Sequence, residues 1–384
     1  LTHSANTSEA MPDIAALVLV IICGTAFAAA QGLTYPLIAI VFENAGVPPA
    51  IAGLNAGIYS LGLASTTLLV SRLSRVIRPD FLIFVGLAGC AFSLAVFSLT
   101  FALWVWFFAR FALGFFANLI FIISEAWLHS ACPDHIRGRV TGLYGMGISG
   151  GFAVGPLAIP FCGASGAFVS LSVYVASVGL ALLVLSRRAR TRPEHVPPGA
   201  FISLFRRAPL LILMVFAFAF SDVAALSTMP TYFMRQGHSE NFAAISVTVL
   251  AIPMTLSQPF VGILLDKTSP RGVAVSAATV AGLSFLIIPS TDSPTIILVI
   301  FGILGAACFA LNTCALTVLG KQFTGGALIA GTSAFALAYA AGSAGGSSLT
   351  GIAMELAGAH AAPATAGALL LCLALTLATS KLRM

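Results

Sequence analysis

Long apolar runs, broken by short polar stretches, organise this chain. A helix that crosses a bilayer needs about 20 mostly apolar residues. Twelve segments come up to about that length: 14–42, 49–70, 81–100, 102–127, 140–161, 166–185, 209–234, 242–265, 272–289, 295–319, 327–354 and 361–380. Together they use most of the chain. The longest stretch between them is 186–208, too short to fold alone. The expected fold is an all-α membrane protein of twelve transmembrane helices.

Composition agrees. Of 384 residues, 59% are hydrophobic and 8% charged, with a mean hydropathy of +1.04. A soluble domain carries about 25% charged residues, so lipid must solvate most of this surface. The pattern leaves no room for a soluble nucleotide-binding domain. No Gly-x-x-x-x-Gly-Lys-Ser/Thr loop occurs, which argues against ATP as the direct energy source. The seven cysteines include no Cys-x-x-Cys pair and read as small packing residues. Residues 1–13 lack Lys and Arg and do not resemble a cleaved secretory signal.

Charge fixes the expected orientation. With the N-terminus placed in the cytoplasm, all 18 basic residues except Arg235 and Arg110 fall in inner loops or the C-terminal tail. They are Arg72, Arg75, Arg78, Arg137, Arg139, Arg187, Arg188, Arg190, Arg192, Arg206, Arg207, Lys267, Arg271, Lys321, Lys381 and Arg383. Lys and Arg are retained on the cytoplasmic side. Both termini are therefore expected inside a multi-pass protein of the cell (inner) membrane. The net charge of +6 reads as topology signal and lipid-headgroup contact, not nucleic-acid binding.

Shifting the sequence by 195 residues lays parts of it on itself. Ser149-Gly-Gly151 falls on Ala344-Gly-Gly346, Gly147 on Gly342, and Thr67-LLV-Ser71-Arg72 on Gly262-ILL-Asp266-Lys267. Pro36 falls on Pro230 at a shift of 194. The organisation implied is a tail 1–13, a six-helix bundle 14–185, a basic linker 186–208 and a second bundle 209–384. Repeats of this kind build secondary transporters, whose halves rock about a site near the midplane.

These residues resemble the major facilitator superfamily over essentially the whole chain. Gly262, Asp266, Lys267 and Arg271 in GILLDKTSPRG are similar to that family's loop signature, read physically as a cytoplasmic charge latch. The first-half copy is eroded. Arg72 and Arg75 remain, but Ser71 replaces the acid. Gly142, Gly151, Gly155 and Pro156 resemble the helix-5 signature of proton-coupled exporters, although Ile159-Pro160 stands where a trailing glycine pair belongs. Their small size also suits a packing seam. Arg110-x-x-x-Gly114 resembles a third signature, whose arginine lies near the substrate and proton path. The run SEAWLHSACPDHIRGRV at 124–140 is similar to a branch of bacterial permeases.

A charge deep in a bilayer costs about 3 kcal/mol or more and must face protein or water. At 100° per residue, Arg110, Gly114, Asn118, Phe121 and Glu125 share one face of their helix. That polar stripe is expected to line a cavity. Asp222 lies near the middle of its segment with no basic residue in its own helix. Burial disfavours a charged carboxylate, so Asp222 is the candidate proton-coupling site. A salt bridge to Arg110 is the structural alternative. The resemblance implies that helices 1, 4, 7 and 10 line the cavity. They carry Gln31, Arg110 with Asn118, Asp222, and Asn312, while helices 2 and 8 add Asn55, Tyr59 and Gln258. Phe115, Phe116, Phe218, Phe220 and Phe309 are candidate aromatic lining. Glu125 reads as a latch residue pairing with Arg137 or Arg139.

The expected function is proton-coupled export of a small amphipathic organic molecule by alternating access, by a monomer with no cofactor. Uptake of an anionic metabolite, with Arg110 clamping its carboxylate, is the alternative. Soft-metal transport through Met229, Met234 and Met254 is a third reading. No Cys/His cluster in the segments supports it, and no metal site is expected. A membrane enzyme would need a catalytic cluster, and His129, Asp134 and His135 are the nearest grouping.

Overall fold

The computed structural model describes residues 14–131, 137–185, 208–323 and 325–380. The tail 1–13 and almost all of the linker 186–208 lie outside the described residues. Among those described, the structure is helical without strands. The first group of helices is α1 (Ile14–Asn44), α2 (Pro49–Val76), α3 (Pro79–Leu99), α4 (Leu103–Ala131), α5 (Arg137–Val154) and α6 (Ala158–Leu185). The second is α7 (Pro209–Val223), α8 (Met229–Arg235), α9 (Glu240–Leu256), α10 (Gln258–Lys267), α11 (Pro270–Ile287), α12 (Pro294–Gln322), α13 (Gly325–Ala357) and α14 (Ala361–Thr379). Nine helices among the described residues are long and apolar enough to cross a membrane, or ten if the bent pair α9–α10 is one span. The other two expected segments are occupied by Gly166–Leu182, a shorter apolar helix, and by α13.

Local chemistry explains the ends. Proline opens α2, α3, α7, α11 and α12, where its missing N–H has no helical acceptor to lose. Ser239 and Ser269 cap α9 and α11 by accepting from the Phe242 and Gly272 amides. Gly163 adopts φ 66°, ψ 173°, a conformation open to glycine and strained for other residues. It breaks the helix between the expected segments 140–161 and 166–185.

Two expected segments are not straight helices. The segment 242–265 bends by 40° between α9 and α10, with Pro253 inside α9 removing a backbone donor. The segment 209–234 is interrupted by a π-helical stretch, Ala224–Thr228, between α7 and α8. Such single-turn insertions mark functional sites in many helices.

The internal repeat is visible in the packing. Gly147 and Gly151 of α5 approach Ile21 and Thr25 of α1. Gly342 and Gly346 of α13 approach Phe216 and Phe220 of α7. Glycines related by the 195-residue shift thus meet partners related by the same shift. At Gly151 and Gly346 a Cβ would stand 2.5 Å and 2.1 Å from a neighbouring carbonyl oxygen, so only glycine lets these backbones meet.

The two groups touch mainly toward the face opposite Arg72, Lys267 and Lys321. Arg235 Nε donates to Glu43 at 2.9 and 3.1 Å, and Asn44 Nδ2 to Glu240 at 2.7 Å. The Ala50 amide donates to Glu355 at 3.1 Å, and Thr248 to the Ala153 carbonyl at 2.9 Å. Gly53 and Gly351 bring α2 and α13 into backbone contact. By contrast, α4 packs on α1, α2 and α3, and α10 on α9, α11 and α12, each within its own group.

Candidate functional site

Arg110 stands about 11 Å into α4 from Leu103, at 1.5 Å per residue. Its side chain is 1% exposed. Its guanidinium carbon lies 4.7 Å from the ring centres of both Tyr35, on α1, and Tyr59, on α2. Those rings meet edge to face at 5.5 Å. Each cation–π contact, out of water, is worth about 2 kcal/mol. Two of them are enough to offset an insertion cost of about 3 kcal/mol. The hydrogen-bonding demand is a separate matter. Arg110 Nε and Nη1, both Tyr hydroxyls and both amide atoms of Asn55 have no partner among the described residues. Each unpartnered buried group costs about 1–3 kcal/mol.

Asp222 is buried at the end of α7, next to the π stretch. Tyr339 of α13 donates to its Oδ2 at 3.5 Å, the long limit of such a bond. The expected alternative of an Arg110–Asp222 salt bridge is not formed, since no cation pairs with Asp222 among the described residues. Tyr35 lies within electrostatic reach of both charges, and Tyr339 within reach of Asp222, Tyr35 and Tyr59. One base and one acid, from different helix groups, therefore face a shared set of tyrosines. Phe218 joins this wall, 5.6 Å from Phe309 and 6.0 Å from Tyr339.

The remaining expected residues divide. Gln31 is half-buried one turn before Tyr35 and faces its hydroxyl without a hydrogen bond of ordinary geometry. Asn312 is half-buried on α12. Asn118 donates to the Leu63 carbonyl at 2.8 Å and to Thr67 at 3.0 Å, so its amide nitrogen staples α4 to α2. Gln258 donates to the Met254 carbonyl and accepts from Thr313, holding the α9–α10 bend against α12. Phe116 packs into the α3–α4 seam against Gly89, and the Phe220 ring against Gly345. Phe115 is half-buried on α4, and its backbone carbonyl accepts from Thr66 of α2.

At the basic face, Asp266 is 3.9 Å from Lys321 and both are exposed. Lys267 is exposed, and Arg271 donates to the Ser380 carbonyl. A Cβ on Gly262 would meet nothing within 4 Å. Arg72 is exposed, and Arg75 donates to the Ser71 carbonyl of its own helix. Glu125 is exposed, while the side chains of Arg137 and Arg139 lie outside the described residues, as do the surroundings of Gly142. Gly155 meets the Ala29 carbonyl, and Pro156 sits in a 3-10 turn, Gly155–Leu157, that ends α5. Among the described residues no group of three or more His, Cys, Asp or Glu could hold a metal. Met229 is buried, while Met234 and Met254 are partly so.

Sequence reasoning missed Tyr35 and Tyr339. The repeat held a clue, because the 195-residue shift carries Tyr144 onto Tyr339. Tyr144 is buried against Gly24 of α1, the position in its own half that corresponds to the α7 wall. The rim residues Glu43, Glu240 and Glu355 were also missed. A groove of about 480 Å³ lies elsewhere, between α1, α5 and α6, and is lined mainly by apolar groups such as Ala29, Leu33 and Val154.

Three likenesses bear on this arrangement. The chain is 28% identical over 286 residues to YfkF, an uncharacterized MFS-type transporter of Bacillus subtilis (strain 168), covering 72% of this chain and 73% of that one. Its fold is similar to the nucleoside transporter NupG, with a TM-score of 0.78 at 14% identity over 96% of this chain and all of that one. It is also similar to a bacterial homologue of the human lysosomal transporter Spinster, solved inward-facing and occupied. There the TM-score is 0.75 at 15% identity, over 94% of each chain. The family model of the Major Facilitator Superfamily matches residues 20–347, and again 211–382. With most of its length matched, this multi-pass membrane protein belongs to the major facilitator superfamily of transporters.

Proposed function

We propose that this transporter is proton-coupled and exports a small amphipathic organic molecule by alternating access. In this reading it has twelve spans in two six-helix halves, with both termini and the basic loops in the cytoplasm. It works in the cell (inner) membrane as a monomer, without a cofactor, on the proton gradient.

The observation that carries the coupling is Asp222. It is a buried acid with no cationic partner among the described residues, bonded only weakly by Tyr339. A carboxylate in that position gains from binding a proton and becomes costly to keep ionised. The cross-group bonds of Glu43, Asn44, Ala50 and Thr248 all gather toward one face. They support a state sealed outside and open to the cytoplasm, in keeping with the inward-facing homologue above. In that state Asp222 releases its proton inward as cargo binds. The halves then rock, the outer rim parts, and cargo leaves as a new proton arrives. The resemblance of Gly151, Gly155 and Pro156 to the exporter signature supports the outward direction. A second reading, uptake of an anionic metabolite with a proton, is favoured by the unpartnered Arg110 nitrogens.

The test is transport in proteoliposomes under an imposed pH gradient. Wild type should drive cargo against its own gradient, and Asp222→Asn should retain cargo exchange but lose proton-driven accumulation. Undiminished proton dependence in that variant would remove Asp222 from the coupling role.

A further inference from the structure

Resting on the transport reading above, we propose that the cargo is an organic acid, whichever way it moves. Its carboxylate is held by Arg110, Tyr35, Tyr59 and Asn55. All four side chains are at most 1% exposed, and they come from three helices of one half. Buried polar atoms are nearly always hydrogen-bonded. Here Arg110 Nε and Nη1, two tyrosine hydroxyls and the Asn55 amide, one turn from Tyr59, are all left unpartnered together.

The chemistry of the set selects the ligand. A guanidinium has only donors, and two tyrosine hydroxyls and an asparagine NH₂ can add four more. A carboxylate, acceptor-only with about four lone-pair sites, answers most of these donors, and only the Asn55 Oδ1 needs a donor from elsewhere on the cargo. A cationic cargo is repelled, and a neutral one leaves the guanidinium charge uncompensated in a dry site. The acid that could have served instead, Asp222, stands on the other half with Tyr339 and does not pair with Arg110. The flat guanidinium, held against the edge-to-face pair Tyr35 and Tyr59, matches a flat carboxylate. Phe218, Phe309 and Tyr339 supply a wall for the organic body of such a molecule.

The experiment uses the purified full chain in detergent at fixed ionic strength. Thermal unfolding and equilibrium binding are measured with sodium acetate, sodium benzoate and sodium phosphate, and with acetamide and benzamide. Benzoate should stabilise the protein and benzamide should not. Tyr59→Phe, which deletes one oxygen, should weaken benzoate binding about tenfold, the loss of one hydrogen bond to a charged group. Arg110→Lys keeps the charge but loses the planar donor set, and should weaken it further. If Arg110→Lys does not fold, Tyr59→Phe alone decides.

The proposal is overturned if no carboxylate stabilises the protein, if benzamide matches benzoate, if only phosphate acts, or if the effect survives both substitutions. Proton-driven transport that prefers neutral cargo would sink the acid subsite and leave the transport reading intact. Carboxylate binding without any transport in proteoliposomes would do the reverse.

Discussion

Gly114→Ala puts one methyl group into the seam that holds the arginine in place. A Cβ built at Gly114 lies 2.1 Å from the Tyr59 carbonyl oxygen and 3.0 Å from its carbon. Carbon and oxygen approach no closer than about 3.3 Å even in favourable C–H···O contacts, so α2 and α4 must separate by roughly 1 Å. Overpacking of this kind costs about 1–3 kcal/mol. Alanine's better helix propensity returns about 1 kcal/mol, leaving a net loss of about 0–2 kcal/mol, toward the upper end because the clash is with backbone. The displaced residue is Tyr59 itself, and Arg110 is one turn from the new methyl. The cation–π contact at 4.7 Å must therefore loosen as well. Gly320→Ala is the control, because a Cβ there meets nothing within 4 Å. The assays are thermal unfolding of the purified variants and concentration-dependent transport in proteoliposomes. Gly114→Ala should melt below wild type and need roughly tenfold more cargo for half-maximal rate, the equivalent of about 1.4 kcal/mol. Gly320→Ala should melt at or slightly above wild type, by helix propensity alone, and match it in transport. If Gly114→Ala is as stable and as tight-binding as the control, the argued link between seam width and the arginine's position is wrong.

Other outcomes follow from the same contacts. Glu43→Gln should change stability by only about 0–1 kcal/mol, because the Glu43–Arg235 pair is partly exposed. It should nevertheless broaden spin-label distances between the far ends of α1 and α8, and the swap Glu43→Arg with Arg235→Glu should narrow them again. An unchanged distribution would show that the pair does not hold the rim shut. Asn118→Leu should lower stability by about 1–2 kcal/mol through loss of its bonds to Leu63 and Thr67, with cargo affinity unchanged. A selective fall in affinity would restore Asn118 to the cargo site. Thr248→Val deletes a buried bond across the two groups and should cost about 1 kcal/mol, with the same broadening between α5 and α9. Unaltered stability and spacing would mean that this bond does not help to close the far face.

Arg110 and Asp222 could be read from the sequence because charge inside an apolar run has few innocent explanations. The repeat was legible for a related reason. Gly151 and Gly346 occupy positions where two backbones meet, and nothing larger fits. Tyr35 was not legible. A tyrosine in a greasy helix looks like bulk until the third dimension lays it on a guanidinium. Asn118 and Gln258 were recognisable as polar groups needing partners, but sequence could not say whether the partner was cargo or another helix. The π stretch was legible in hindsight through Pro230, whose missing N–H and ring deny the Leu226 carbonyl its α-helical donor within Ala224–Thr228. The bend at Pro253 and the break at Gly163 are likewise written in single residues whose backbone chemistry allows little else.

The π stretch also sets a phase. Every residue of an ordinary helix turns the chain by 100°, so one surplus residue rotates everything beyond it by about a quarter turn. Asp222 lies before that surplus, and Arg235 lies after it. The azimuth at which Arg235 meets Glu43 is therefore indexed to the acid below by the five residues of the π stretch between them. Ironing the stretch into a plain helix would swing the rim arginine off its partner while the acid stayed put, and the two ends of this one span would fall out of step.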